Sequence, residues 1–334
     1  MWHWISSILR AERPRRSAHR PQAANGERAR AARIDPIAHC ATGLASVLPV
    51  AIDDKAFVSW LLDMPDPMDE PLRVTEATVL TMLDAQLSLQ RSAEELLPRV
   101  PAVIPQLMSV LRQDDRSLAA LTERVSKDLI LVAEVMRMAR SAWYRGQGEI
   151  PDLAHAIQTI GVAGLKSAIA KIVLRPLFEA GCGELSQRAA ARLWAHSEQK
   201  ADYCGRLMGV AGGDPFDGYL AGLMHNAGWT VALRAADRNG GLQWPWSAAF
   251  VTELGARRDP LFGRIISGWQ MSGALTELAE QALGPGLASS GSLLARLLLA
   301  ADRQASVELL LDRDAAVSEH EKNAIVDELA SATW

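Results

Sequence analysis

The chain has 334 residues, of which 49% are hydrophobic and 22% charged, with a mean hydropathy of +0.02. That balance excludes an intrinsically disordered chain, and the length buries a sizeable core in one large domain or two ordinary ones. The net charge of −4 is uneven: eight arginines against two glutamates give residues 1–33 a charge of +6 and leave −10 on the rest, which weighs against broad nucleic-acid binding.

Alanine, leucine and arginine are plentiful and β-branched runs few, so the composition predicts helix. The three cysteines, Cys40, Cys182 and Cys204, form no C-x-x-C pair and read as free thiols of a reducing cytoplasm. No unbroken apolar run reaches the ~18 residues of a transmembrane helix. The stretch Trp2 to Leu9 is too short for the apolar region of a signal peptide, so the expected location is cytoplasmic.

Residues 1–33, with Pro14, Pro21, Asn25 and Gly26 among the arginines, read as a basic, disordered arm. Trp2, Trp4, Ile5, Ile8 and Leu9 beside those arginines also make this arm a candidate for peripheral membrane contact. Residues 34–95 form a helical lead-in. Phe57, Trp60, Leu61 and Met64 recur at helical spacing, and after the break MPDPMDEP the period resumes through Val79, Met82, Leu83 and Leu87. Three prolines, Pro98, Pro101 and Pro105, mark a boundary and an extended entry into the main domain. Ser117 is placed to cap SLAALTERVSKD, and Leu131, Val132, Val135, Met136 and Ala139 line one face of the next helix. This helix pair has the outline of a helix-turn-helix, but its second member offers few base-reading side chains.

Asp152 is placed to cap DLAHAIQTI and Gly161 to close it, with GLKSAIAKIVLRPLF as the next helix. Ser186 is expected to open the helix that carries LWAHS. Asp214 caps the one that runs from Pro215 to His225, with Gly228 just past its end. Residues 259–269, 272–283 and 291–310 read as helices. Ser318 and Glu321 form a capping-box pair for a C-terminal helix within 311–334. No strand pattern and no internal repeat is found, so the expected fold class is all-α.

The chemistry gathers on three stretches. His196 sits mid-helix, His225-Asn226 ends a later helix in AGLMHNAGW, and Asp302 lies in the long helix near the end. Imidazole nitrogens and carboxylate oxygens are ligands for divalent ions. The order resembles the HD superfamily of metal-dependent phosphohydrolases: a histidine, a His-Asp doublet, a distant aspartate. The doublet aspartate is Asn226 here, whose neutral amide does not balance a metal's charge. Trp229 stands where that resemblance implies lysine, and no histidine occurs from 227 to 319. With its flanks included, the chain looks like the HDOD (HD-related output domain) family of bacterial signalling proteins. The pieces that carry this are the proline-rich entry, LVAEVMRMARSAWYR, IPDLAHAIQTIGVAGLKSAI, LWAHS and AGLMHNAGW, from about Leu96 to about Ala305. Arg140 departs from it, where asparagine is usual. The resemblance implies an all-helical HDOD-like domain over 96–310, as one unit or two helical subdomains. It also implies a signalling role without turnover.

Each singled-out residue has a plain structural alternative. His196 fits a buried histidine with a hydrogen-bond partner, and His225 fits a helix C-terminus. Asn226 fits a left-handed C-cap, and Asp302 fits a surface pair with Arg303 or Arg296. Trp143, Tyr144 and Arg145 are a candidate site for a partner or a nucleotide base, or else close a helix end against the core. No P-loop, no G-x-S-x-G elbow and no GYP sequence is present. The reading is a regulatory signal-transduction module with a degenerate metal site at His196, His225, Asn226 and Asp302. No catalytic residue, no bound metal and no cofactor is expected. The expected partner is another signalling protein, with a nucleotide second messenger as the secondary candidate. The competing reading is a metal-dependent phosphohydrolase with an atypical His/His/Asp site.

Overall fold

Helix-forming periodicity becomes helix throughout the computed structural model, which describes residues 54–89, 93–97, 125–126, 129–140, 150–179, 183–269 and 271–313. The basic arm, the entry from Pro98, the Ser117 cap, Trp143–Arg145, the Ser318–Glu321 pair, Cys40 and Cys182 lie outside those residues. Within them the helices, in chain order, are α1 (Asp54–Leu62), α2 (Val74–Ser88), α3 (Ala93–Leu96), α4 (Leu129–Ala139), α5 (Leu153–Glu179) and α6 (Glu184–Val210). Then come α7 (Pro215–His225), α8 (Ala227–Asn239), α9 (Ala248–Ala256), α10 (Arg258–Trp269), α11 (Gly273–Leu283) and α12 (Leu293–Arg313). Among the described residues the β-type pairing is a single isolated bridge between Met68 and Ser247. The fold is all-α.

Local signals explain most boundaries. The Asp152 carboxylate accepts from the His155 N–H at 2.9 Å, and Asp214 accepts from the Phe216 N–H at 2.9 Å with Pro215 in the first position. Gly161, at φ 66° and ψ −172°, breaks α5 into the two expected segments at a conformation that side chains resist. The α6 start differs from expectation. It begins at Glu184, and Ser186 lies inside its first turn. The cap comes from far along the chain: the Asp237 carboxylate of α8 accepts from the N–H groups of Leu185 (2.9 Å) and Ser186 (3.0 Å) and from the Ser186 hydroxyl. A partner some 50 residues downstream leaves no local trace.

By length and composition α5 is able to cross a membrane, although 56% of its apolar stretch is buried inside the protein. It packs against α4, α6 and α7. α6 is the central element, in contact with α7, α12, α8, α5 and α1. α6 and α7 cross closely because Gly222 has no side chain. A Cβ there would lie 2.6 Å from the Ala201 Cα and 2.7 Å from the Lys200 carbonyl oxygen. Gly222→Ala is therefore expected to cost about 1–3 kcal/mol in urea unfolding, because backbone rather than a flexible side chain has to move.

The lead-in is stapled to the later helices. Glu76, buried at the start of α2, accepts from its own turn at Arg73 N–H (2.8 Å). It also accepts from the Ser247 N–H (2.8 Å) and the Ser247 hydroxyl (2.7 Å), just before α9. Such a carboxylate is tolerated in the core because its oxygens are satisfied. Phe57 of α1 packs on Trp229 of α8 at 5.8 Å and on His196 of α6 at 4.9 Å between ring centroids.

Candidate functional site

Helices α6, α7 and α12 and the α7–α8 junction bring His196, His225, Asn226 and Asp302 to one buried point. His196, His225 and Asn226 are fully buried, and the Asp302 side chain is 13% exposed. Each imidazole has a nitrogen 3.8 Å from the same Asp302 oxygen. The two imidazoles and the carboxylate thus approach one another at this point.

A lysine ammonium lies among these groups. Lys200, one helical turn after His196, is fully buried. Its Nζ donates to Asp302 Oδ1 at 2.6 Å, to Asn226 Oδ1 at 2.8 Å and to His225 Nδ1 at 3.1 Å. Three donors meet three acceptors, so the ammonium is saturated. Asn226 uses its other end as well: its amide nitrogen donates to His196 Nδ1 at 2.9 Å and to the Ser197 hydroxyl at 3.0 Å. An aspartate has no such donor at neutral pH, so here the amide is the matching residue.

The rest of the network follows from those assignments. With Nδ1 accepting, His196 Nε2–H donates to the Ser306 hydroxyl at 2.8 Å, and Ser306 donates to the Asp302 carbonyl at 2.8 Å. His225 likewise accepts at Nδ1 and donates from Nε2 to Asp259 at 2.9 Å. Arg258 donates from Nε to Asp259 at 2.8 Å and from a terminal nitrogen to Asp302 at 2.7 Å. Two cations face two carboxylates across two neutral imidazoles, so the cluster carries no net charge. Gly228 is what lets Arg258 in: a Cβ there would lie 2.1 Å from the Arg258 carbonyl oxygen.

The protonation states agree. Burial drives the His196 imidazole down to about 3 and the His225 imidazole to about 4, with Lys200 acting in the same direction, so both are neutral. Burial lowers the Lys200 ammonium to about 8 against the pull of Asp302, which leaves it charged at neutral pH. Asp302 stays ionised well below the ordinary carboxylate range: burial opposes this, but Arg258 and Lys200 outweigh it.

Two of the simpler sequence expectations are corrected here. Asp302 pairs with neither Arg303 nor Arg296 at the surface. It turns inward to Lys200 and Arg258, because α12 presents it to the core beside Ala301 and Ala305. Asn226 is not left-handed: at φ −73° and ψ −3° it joins α7 to α8 directly, so that Gly228 lies within α8. His196 does have hydrogen-bond partners, as a buried histidine should. Lys200, Arg258, Asp259 and Ser306 were not singled out in the sequence. The four-residue spacing from His196 to Lys200 was a usable signal, whereas Arg258 and Asp259 reach the site only through packing.

The HD resemblance implies a divalent metal at this point, and the residues present do not fit one. Lys200 Nζ already makes the contacts to His225, Asn226 and Asp302 that an ion would make, and a second positive charge there would meet it directly. Among the described residues no group of three or more histidine, cysteine, aspartate or glutamate side chains is arranged to hold an ion.

Comparisons with known proteins agree with the helical architecture. The family model of the HDOD domain matches residues 97–240. An HDOD domain protein of unknown function from Geobacter sulfurreducens is similar in structure, with a TM-score of 0.51, 20% identity, and coverage of 77% of this chain and 95% of that one. A protein from Shewanella amazonensis described as a candidate metal-dependent phosphohydrolase has a TM-score of 0.53 and 20% identity, over 78% of this chain and 98% of its own. An uncharacterized protein of Treponema pallidum is 23% identical over 169 residues. That alignment takes in 49% of this chain and only 30% of the relative, so most of the relative's length has no counterpart here.

Proposed function

We propose, from the match of the HDOD family model to residues 97–240, that this chain is a regulatory module of bacterial signal transduction. In this reading it acts by binding a partner protein, and its HD-type site is retired from chemistry. The observation that carries the reading is the Lys200 ammonium, bonded to His225, Asn226 and Asp302 at 2.6–3.1 Å in the middle of the cluster. A fixed cation there gives the surrounding helices the cohesion that a metal would give, and it activates no water. The neutral amide of Asn226 supports the same reading, since a bridging carboxylate is the part that two-metal chemistry needs.

One observation favours the alternative, a phosphohydrolase with an atypical site: two imidazoles and a carboxylate do converge. The Shewanella neighbour gives that alternative a precedent at the level of fold. It requires Lys200 to leave a fully buried position and surrender three hydrogen bonds.

Elemental analysis of protein purified without chelator, together with hydrolysis assays on bis-(p-nitrophenyl) phosphate with added manganese, iron or zinc, separates the two. The regulatory reading expects no stoichiometric metal and no hydrolysis that His225→Ala abolishes. Near-stoichiometric metal, with turnover lost in His225→Ala, would overturn it.

A further inference from the structure

Residues 63–73, between α1 and α2, form no helix, yet they are fastened along their length. The Met68 N–H donates to the Trp246 carbonyl at 2.8 Å, and the Ala248 N–H donates back to the Met68 carbonyl at 2.7 Å. The Trp244 indole donates to the Pro65 carbonyl at 3.1 Å, and Arg73 donates to the carbonyls of Gln243 (3.2 Å) and Pro245 (2.9 Å). A loop held in this way has little conformational freedom left to lose on binding.

What the fixed loop presents to solvent is apolar and acidic. Met68 is 42% exposed, Leu72 40% and Val74 84%, so three of the seven large apolar side chains exposed among the described residues fall within seven consecutive positions. Pro65 and Pro71 are exposed beside them, and Trp244 is half-buried. Exposed apolar side chains that cluster mark an interaction surface, whereas single ones need no explanation. Four carboxylates accompany them. Asp63 is taken by Arg192 at 3.2 Å and Glu70 by Arg73 at 2.8 Å. The carboxylates of Asp66 and Asp69 are exposed and make no ion pair or hydrogen bond with the described residues. A partner for this surface is therefore both apolar and basic.

One stretch of this chain has that composition. Trp2, Trp4, Ile5, Ile8 and Leu9 are followed by Arg10, Arg13, Arg15 and Arg16, and residues 1–33 sum to +6. Residues 34–53 hold two aspartates and no lysine or arginine, so they do not compete for an acidic surface. Fully extended they reach ~70 Å, against the ~14 Å length of α1 that separates Asp54 from the loop, so reach is no obstacle. We propose that the basic arm docks, within the same chain, on the surface made by Asp66, Met68, Asp69, Leu72 and Val74. Its tryptophans pack on the prolines and apolar side chains, as aromatic side chains do in proline-rich recognition, and its arginines meet Asp66 and Asp69. The inference does not depend on the reading of the Lys200 cluster, none of whose residues lies in this loop.

Photo-cross-linking of the full chain in dilute solution, with Trp4 replaced by p-benzoylphenylalanine and the products mapped by peptide mass spectrometry, tests it. The expected product is a single-chain adduct on residues 65–74 or 242–246. Asp66→Arg together with Asp69→Arg should lower its yield about 5-fold. Adding Arg15→Glu and Arg16→Glu to that pair should restore most of the yield, a rescue that misfolding would not show. Asp66 and Asp69 are exposed and unpaired, so the variants fold, and unchanged circular dichroism and melting temperature verify this. Adducts elsewhere on the body, adducts that join two chains, a yield indifferent to the charge reversal, or no rescue by the compensating pair would each overturn the proposal. So would the absence of any adduct; sedimentation of the chain with phosphatidylserine vesicles would then assign the arm to a membrane surface.

Discussion

Replacing Lys200 with methionine is expected to destabilise the fold by about 3–5 kcal/mol, the usual cost of removing one member of a buried ion pair. Methionine fills most of the volume, so packing is nearly preserved and the loss is electrostatic. Asp302 keeps Arg258 but loses its 2.6 Å contact, while Asn226 Oδ1 and His225 Nδ1 are left buried without donors. Lys200→Arg should not restore the loss, because a planar guanidinium does not point three donors at three convergent acceptors. Adding Asp302→Asn to Lys200→Met removes the stranded charge and should recover about 1–3 kcal/mol. Urea unfolding of the four proteins at pH 7 measures all of this. A Lys200→Met cost under about 1 kcal/mol would mean that the ammonium is not the keystone of the cluster.

Acid should loosen the protein well before ordinary carboxylates titrate. In the unfolded chain both imidazoles titrate near 6.5, whereas in the fold His196 and His225 are lowered to about 3 and about 4. Between those values the unfolded state binds more protons than the folded one, so stability falls as pH drops from about 6.5 toward 4. Each imidazole contributes about 1.4 kcal/mol per pH unit in that window. Lys200 works in the same sense at the other end. Its folded value of about 8 lies below the unfolded 10.5, so its contribution rises with pH between the two. The expected record is a urea midpoint that drops steeply from pH 6.5 to 4.5 and does not drop from pH 8 to 9.5 on account of this cluster. His225→Gln should flatten the acid limb; an unchanged slope would show that the imidazole is not the group responsible.

Helical class and the order of the cluster were legible in the chain because both rest on local pattern. Period and capping locate α5 and α7, and His196, His225-Asn226 and Asp302 stand in recognisable sequence. What could not be read was how the cluster is neutralised. Asn226 looks in sequence like a site that has lost a charge, but in the fold its amide nitrogen serves His196 while its oxygen serves Lys200. Only the arrangement of four helices tells those meanings apart. Arg258 gave no signal because its place depends on the missing side chain at Gly228. The Asp237 cap on α6 was hidden for the same reason: a contact between distant segments has no period.

The reach of the Glu76 staple and of α12 bears on where this protein can be divided. The family match ends at residue 240, yet Arg258, Asp259, Asp302 and Ser306 lie beyond it, and Phe57 and Glu76 lie before it. A chain cut to 97–240 would bury the Lys200 ammonium against His225 and Asn226 with no carboxylate to neutralise it. The span matched by the family model is thus shorter than the span that packs around the cluster. The helices after residue 240 supply both carboxylates and the Arg258 guanidinium of the cluster.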